Sequence, residues 1–315
     1  MKKILIVAAV AAAATGSAFA QSSVTVYGRF NTTAEQVEQD GVKTKLLNNN
    51  ASRIGFKGTE DIGGGIKAGF QLEHGFDSTT GAPGSPFWGR QSEVNLSGAF
   101  GTVRLGRFTS DAYFATADYV SMHNHDTGNS EDELYAYIGR NSNKIGYTLP
   151  TLVKGLAIQG SVSAPEGVAG QARNYDGAVN YNAGPLALGL GYEKAGDSKQ
   201  FAARGLYDLG SFVFGGYVQR HTDAVKGDRT LYRLSGAYML GASEFHVNVG
   251  KAGSFSKVSG TSAKQWTLAY NYNLSKRTKV YAYYSKVDDA DKAGGKLAVS
   301  VGDRTSIAAG IRHNF

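Results

Sequence analysis

Through most of this chain, apolar side chains recur at every second residue in runs of about ten. Ile66, Ala68, Phe70 and Leu72 alternate with Lys67, Gly69, Gln71 and Glu73. Leu186, Leu188, Leu190 and Tyr192 alternate with Ala187, Gly189 and Gly191, and Trp266, Leu268, Tyr270 and Tyr272 with Gln265, Thr267, Ala269 and Asn271. A period of two puts successive side chains on opposite faces of an extended strand, so each run has one apolar and one polar face. Helical spacing is absent over most of the chain. The pattern continues to the last residue: Ile307, Ala309, Ile311, His313 and Phe315 share one face. A strand that keeps its pattern to its end is expected to be paired on both sides.

The connections between runs alternate in length. Tight ones fall at Asp61 to Gly65, Gly98 to Gly101, Asn182 to Pro185, Asp208 to Ser211, Leu240 to Ala242 and Asn273 to Lys276. Longer polar stretches lie near 37–49, 77–86, 109–133, 164–173, 195–200, 221–229, 252–263 and 288–302. Short turns at one end and long loops at the other, with about sixteen strands, describe an all-β transmembrane barrel of sixteen antiparallel strands. A sheet in lipid has to close, because an open edge would leave backbone donors and acceptors unsatisfied in hydrocarbon. A soluble sandwich or propeller also alternates. The polar faces favour the barrel, being rich in Gly, Ser, Thr, Asn and Arg, and many of the 18 Tyr stand near strand ends where an interfacial girdle belongs.

Lys2 and Lys3 precede an apolar run from Ile4 to Ala14, and Ala18, Phe19 and Ala20 follow. This is the plan of a secretory signal peptide over residues 1–20, cut before Gln21, with one barrel domain over 21–315. The apolar run is about half the length needed to span a bilayer as a helix. Cys is absent, so disulfides contribute nothing on this export route. The net charge of +7 is dispersed, which makes nucleic acid a poor partner.

Several stretches closely resemble the general trimeric porins of Gram-negative bacteria, of the β-proteobacterial kind. They are Ser22 to Gly28 (SSVTVYG), Ser52 to Glu73, Leu96 to Arg107, Tyr272 to Thr278 and Gly310 to Phe315. The resemblance implies a homotrimer in the outer membrane, in contact with its lipid and lipopolysaccharide, with early strands at the trimer contact. It also implies a third loop folded into each barrel as a constriction, and a terminal aromatic, Phe315, read by the assembly machinery. Asn31 departs from the pattern, since these porins often carry Asp there.

Function is expected in two sets of residues. The longest loop, Thr109 to Glu133, exceeds a plain connection, and Thr109, Ser110 and Asp111 offer caps for a short helix. Its acids are Asp111, Asp118, Asp126, Glu131, Asp132 and Glu133. The second set is basic. Arg facing lipid costs roughly 2–4 kcal/mol at the midplane, so strand parity turns Arg29, Arg53 and Arg140 toward the lumen. Arg53, Arg90 and Arg140 are similar in placement to the basic cluster on the pore wall of such porins. Arg90 breaks the parity rule, sharing phase with Val94 and Leu96; a bulge or a subunit contact on that face accounts for it, and the subunit contact is preferred.

The mechanism expected is passive diffusion of ions and small hydrophilic solutes, with anions favoured by the arginines, no cofactor and no catalysis. Two alternatives stay open: a substrate-specific channel, and an outer-membrane enzyme using His123, His125 and Asp126. The second lacks a further ligand cluster or a G-x-S-x-G nucleophile signature, so these histidines are expected to be solvated loop residues and no metal site is expected.

Overall fold

The alternating runs become seventeen strands in a computed structural model, which describes residues 23–118, 120, 123, 127, 133–139, 141–165, 172–288 and 302–315. The first group is β1 (Ser23–Gln39), β2 (Val42–Asn49), β3 (Arg53–Gly63), β4 (Ile66–Gly75), β5 (Gln91–Gly98) and β6 (Gly101–Arg107). The second is β7 (Lys144–Thr148), β8 (Leu156–Ser163), β9 (Asn174–Ala183), β10 (Leu186–Ala195), β11 (Ser198–Asp208) and β12 (Phe212–Asp223). The ring is completed by β13 (Gly227–Leu240), β14 (Ser243–Ala252), β15 (Ala263–Asn273), β16 (Thr278–Asp288) and β17 (Arg304–Asn314). Every neighbouring pair is antiparallel, and β1 pairs with β17, so the sheet closes.

Seventeen strands make sixteen staves. β1 pairs with β3 through Ser23 to Arg29 and with β2 through Thr32 to Gln39, so β2 and β3 are two halves of one stave. The break falls at Asn50 to Ser52, where Ala51 takes φ +57°. Side chains replace the lost ladder bonds there. The Asn31 N–H donates to Ser52 Oγ at 3.0 Å, and Asn50 Nδ2 donates to Thr33 Oγ1 at 2.8 Å.

The two faces sort as the parity rule requires. Val24, Val26, Val94, Ile145, Leu234 and Ile307 are exposed on the outer face, where lipid covers them. Lumen-side positions hold buried Asn31, Glu193, Gln200, Gln219, Arg229 and Arg233. Phe212 stacks on Tyr238 at 4.6 Å, and Phe245 lies 6.3 Å from Tyr238 and 5.2 Å from Tyr270. All four stand close to the tight turns, forming part of an interfacial girdle at that rim.

Three stretches expected as long loops are mostly strand. β1 and β2 run through 37–49 with only Asp40 and Gly41 between them, β10 and β11 nearly meet across 195–200, and β12 and β13 extend into 221–229. Above the lipid band both faces meet water, so strand pairing persists without an apolar face to betray it. The expected signal peptide, residues 1–20, lies outside the described residues.

Candidate functional site

The stretch between β6 and β7 turns into the barrel. Ser110 caps one helical turn, Asp111–Tyr113, by accepting the Tyr113 N–H at 3.2 Å, and a wider π-type turn, Phe114–Asp118, follows. This is the short helix expected from Thr109, Ser110 and Asp111. Ala112, Ala115 and Ala117 are fully covered, because small side chains let the backbone lie flat against the inner wall. The wall is equally bare: a Cβ on Gly189 of β10 would strike the Ala115 carbonyl oxygen, and one on Gly191 would come 2.8 Å from that of Ala112.

Polar groups fix the rest of the loop. Gln219 of β12 satisfies both backbone groups of Ala136, accepting its N–H at 2.8 Å and donating to its carbonyl at 3.0 Å. Gln200 donates to the Tyr135 hydroxyl at 3.0 Å and to Glu193 at 3.1 Å. Tyr113, Tyr135, Tyr137 and Tyr217 close a small core between loop and wall, and burial pushes the Tyr137 phenol up to about 12. Further along, His123 packs its ring 5.4 Å from His246 and about 6 Å from Tyr281 and Tyr283. The loop thus covers the inner faces of β9 through β16. His123 was expected to be solvated; it is fully buried, because the loop folds inward and lands its middle on this wall.

Thr127 of the loop reaches Asn31 of β1 at 3.4 Å and Asp111 meets Arg104 of β6 at 3.1 Å; between these contacts the lumen side of β3 to β5 stays open, and Arg53 and Arg90 stand there. Arg53 and Arg90 line one cavity of about 470 Å³ together with Gln71, Glu73, Tyr113, Phe114, Asp118 and Tyr137. Arg90 precedes β5 and so escapes its parity. Its Nε donates to Glu73 Oε1 at 2.6 Å, across the lumen face of β4. The subunit-contact explanation for its phase is therefore replaced by a simpler one: the residue is not yet on the strand. Arg53 Nε lies 3.8 Å from the same carboxylate oxygen. Arg29 is the cross-strand partner of Arg53 and donates to Asn314 at 3.2 Å. Arg140 lies outside the described residues.

The loop acids divide. Asp118 lines the cavity opposite the arginines. Asp111 does not: Arg104 binds it at 3.1 Å while holding Glu93 at 2.8 Å. Burial pushes the Asp111 carboxyl above the ordinary range, opposed by Arg104 and reinforced by Asp176. Glu133 is buried beside Leu134, which packs on Leu231, Ala252 and Ala263. Asp126, Glu131, Asp132 and His125 lie outside the described residues. The residue that sequence reasoning passed over is Glu73. It alternates with Phe70 and Leu72, so the parity that turned the arginines inward would have placed this carboxylate among them.

A closed barrel with an inward loop and charged groups on the wall facing it is the arrangement of a pore. Residues 7–292 match the Gram-negative porin family. The chain belongs to that family. It is 34% identical to outer membrane porin protein 32 of Delftia acidovorans, with both chains covered in full. It is 29% identical to the major outer membrane protein P.IB of Neisseria meningitidis serogroup B, over 96% of this chain and 88% of that one. Among solved structures, the anion-selective porin from Comamonas acidovorans superposes with a TM-score of 0.79 at 28% identity, covering 94% of this chain and 100% of the other. A trimer form of the Vibrio cholerae outer membrane protein OmpT shares the fold, with a TM-score of 0.71 at 16% identity over 93% and 99%. This porin is thus an outer-membrane barrel, and its family and fold are those of a channel rather than an enzyme.

Proposed function

We propose that this porin is a general diffusion channel that passes ions and small hydrophilic solutes down their gradients and prefers anions. It works as a homotrimer in outer-membrane lipid and lipopolysaccharide, after loss of a signal peptide at residues 1–20, and performs no catalysis. The observation that carries the reading is the cavity in which Arg53 and Arg90 face Asp118, Tyr113 and Phe114 of the inward loop. Positive groups on the wall opposite loop carboxylate and carbonyl groups set a field across the passage, and fixed charges in such a section select by sign.

Charge counting refines the proposal. Within the cavity, Arg53 and Arg90 meet Glu73 and Asp118, an even balance. Anion preference therefore depends on Arg29 beside Arg53 and on Arg140, the fourth member of the proposed cluster. The anion selectivity of the Comamonas porin supports the same sign. Planar-bilayer recording tests both levels. The porin is expected to give stepwise conductance in threes, with a zero-current potential in a salt gradient on the chloride side. Replacing Arg53, Arg90 and Arg140 with neutral residues is expected to move that potential toward cations; an unmoved potential removes the cluster from the mechanism.

A further inference from the structure

We propose that the cavity between Arg90 and Phe114 is a transient binding subsite for small aromatic carboxylates, a class that the porin would pass selectively among anions. The proposal rests on the diffusion reading above and adds to it a preference that charge alone does not create.

The first observation is the placement of an apolar ring. Phe114 is 42% exposed on a loop whose neighbours Ala112, Ala115 and Ala117 are buried against the wall. The turn that seats those alanines aims Phe114 the other way, into the charged cavity. Among the described residues, no ring of the barrel wall packs on it. It stands 5.8 Å from the Tyr113 ring at 56°, so the cavity meets an aromatic pair rather than one residue. An apolar ring alone on a surface says little. Facing two guanidiniums across a water-filled space, it supplies half of a recognition element.

The second observation is polarity. Arg90 uses Nε on Glu73 and its side chain remains 36% exposed where it lines the cavity. Guanidinium forks suit planar carboxylates, which they bind through paired N–H donors. Asp118 lies on the loop side with Phe114, so it repels a carboxylate toward the arginine wall. A solute with a carboxylate at one end and a ring at the other is thereby oriented, charge to Arg53 and Arg90, ring to Phe114 and Tyr113. The volume of about 470 Å³ falls in the range of roughly 300–1,000 Å³ typical of small-ligand sites. An aliphatic anion of the same charge gains only the first contact.

The test is block of chloride current through single porins in planar bilayers by benzoate, compared with acetate. Benzoate is expected to half-block at a concentration roughly two- to tenfold lower, the range that ring–ring contact contributes. Phe114→Leu, which keeps the bulk of the side chain, is expected to bring the two half-blocking concentrations together, and Phe114→Trp to keep them apart. Equal block by both anions in the unmodified porin overturns the proposal, as does a benzoate advantage that survives Phe114→Leu. Absence of block with chloride conductance intact also overturns it while leaving the diffusion reading standing. Absence of conductance, or a zero-current potential on the cation side, overturns that reading itself.

Discussion

Two carboxylates, Glu73 and Asp118, offset Arg53 and Arg90 in the cavity between loop and wall. Glu73 is bound to Arg90 at 2.6 Å and approached by Arg53 at 3.8 Å, so it holds two like charges side by side on one wall. Asp118 faces them from the loop. Removing Asp118 takes one negative charge out of the cavity. On the proposed reading, Asp118→Asn raises the chloride-to-potassium permeability ratio roughly twofold, the effect on both ions of a unit charge about 8 Å from the path in water screened by about 0.1 M salt. Zero-current potential in a salt gradient measures it, and a shift toward potassium would contradict the assignment. His123 carries a pH effect. Burial first, then the charges near it from His246, Lys279 and Arg312, hold its imidazole well below the ordinary 6.5. Above about pH 7.5, a unit past the free imidazole's 6.5, docked and undocked loops are both neutral at this residue and pH does not matter. As pH falls further, the undocked loop takes a proton that the docked one refuses, so docking weakens. Glu244, 3.2 Å from His246 on the same wall, supplies the facing negative charge. Open-channel noise is expected to grow between about pH 7 and pH 5, and to lose that dependence in His123→Gln.

At the scale of elements, the loop and its seat form a matched pair. Gly189 leaves room for the Ala115 carbonyl, and Arg204 passes beside it to donate to the Leu188 carbonyl at 2.8 Å. Gly189→Val forces the loop off the wall or strains it by about 1–3 kcal/mol. The expected readout is a changed single-channel conductance with more frequent gating. Gly205→Ala is the control, since a Cβ there meets nothing nearer than Leu188 at 3.9 Å. The strands were legible in the sequence because Ile145 and Tyr147, or Leu188 and Leu190, alternate against polar or glycine neighbours. The loop's course was implied only by the family resemblance, not by its own residues. Its inward turn depends on pairings such as Gln219 with Ala136, 83 residues apart, and local patterns carry no trace of such distance. The phase of Arg90 was misread for a related reason: parity presumes a strand, and β5 begins one residue later. The two-part stave of β2 and β3 escaped because Asn50 and Ser52 resemble ordinary loop residues until their partners on β1 are known.

The whole molecule depends on one seam, where β1 meets β17 in register from Arg29 opposite Asn314 to Gln39 opposite Arg304. Inside the lumen, side chains bridge the same region: the Tyr281 hydroxyl donates to Asn31 at 2.6 Å, and that of Tyr283 donates to Glu35 at 3.0 Å. Ser306 and Asn48 also donate to Glu35. Asn31 thus serves closure, with its amide and carbonyl both engaged. Glu35→Ala strands these donors, and hydrogen bonds to a charged group contribute about 1.5–3 kcal/mol each, so urea resistance of the barrel is expected to fall. On the outer side, the Phe315 N–H donates to the Gly28 carbonyl and the Gly28 N–H to that of Phe315, each at 3.1 Å. The Phe315 ring lies directly over Gly28, and a Cβ at that position would strike it. The same Cβ would come 2.5 Å from the Arg53 carbonyl oxygen, so closure needs glycine at 28 both for the ring at 315 and for the backbone of β3. Gly28→Val is expected to leave most of the protein unable to reach the form that resists unfolding in cold detergent. If the ring is the obstacle, adding Phe315→Ala to Gly28→Val restores part of that resistant fraction, although Phe315→Ala alone lowers it. A Gly28→Val porin that closes as fully as the unmodified chain would show that the seam tolerates a displaced terminus, and that its strength lies instead in the Glu35 and Asn31 contacts on the lumen side.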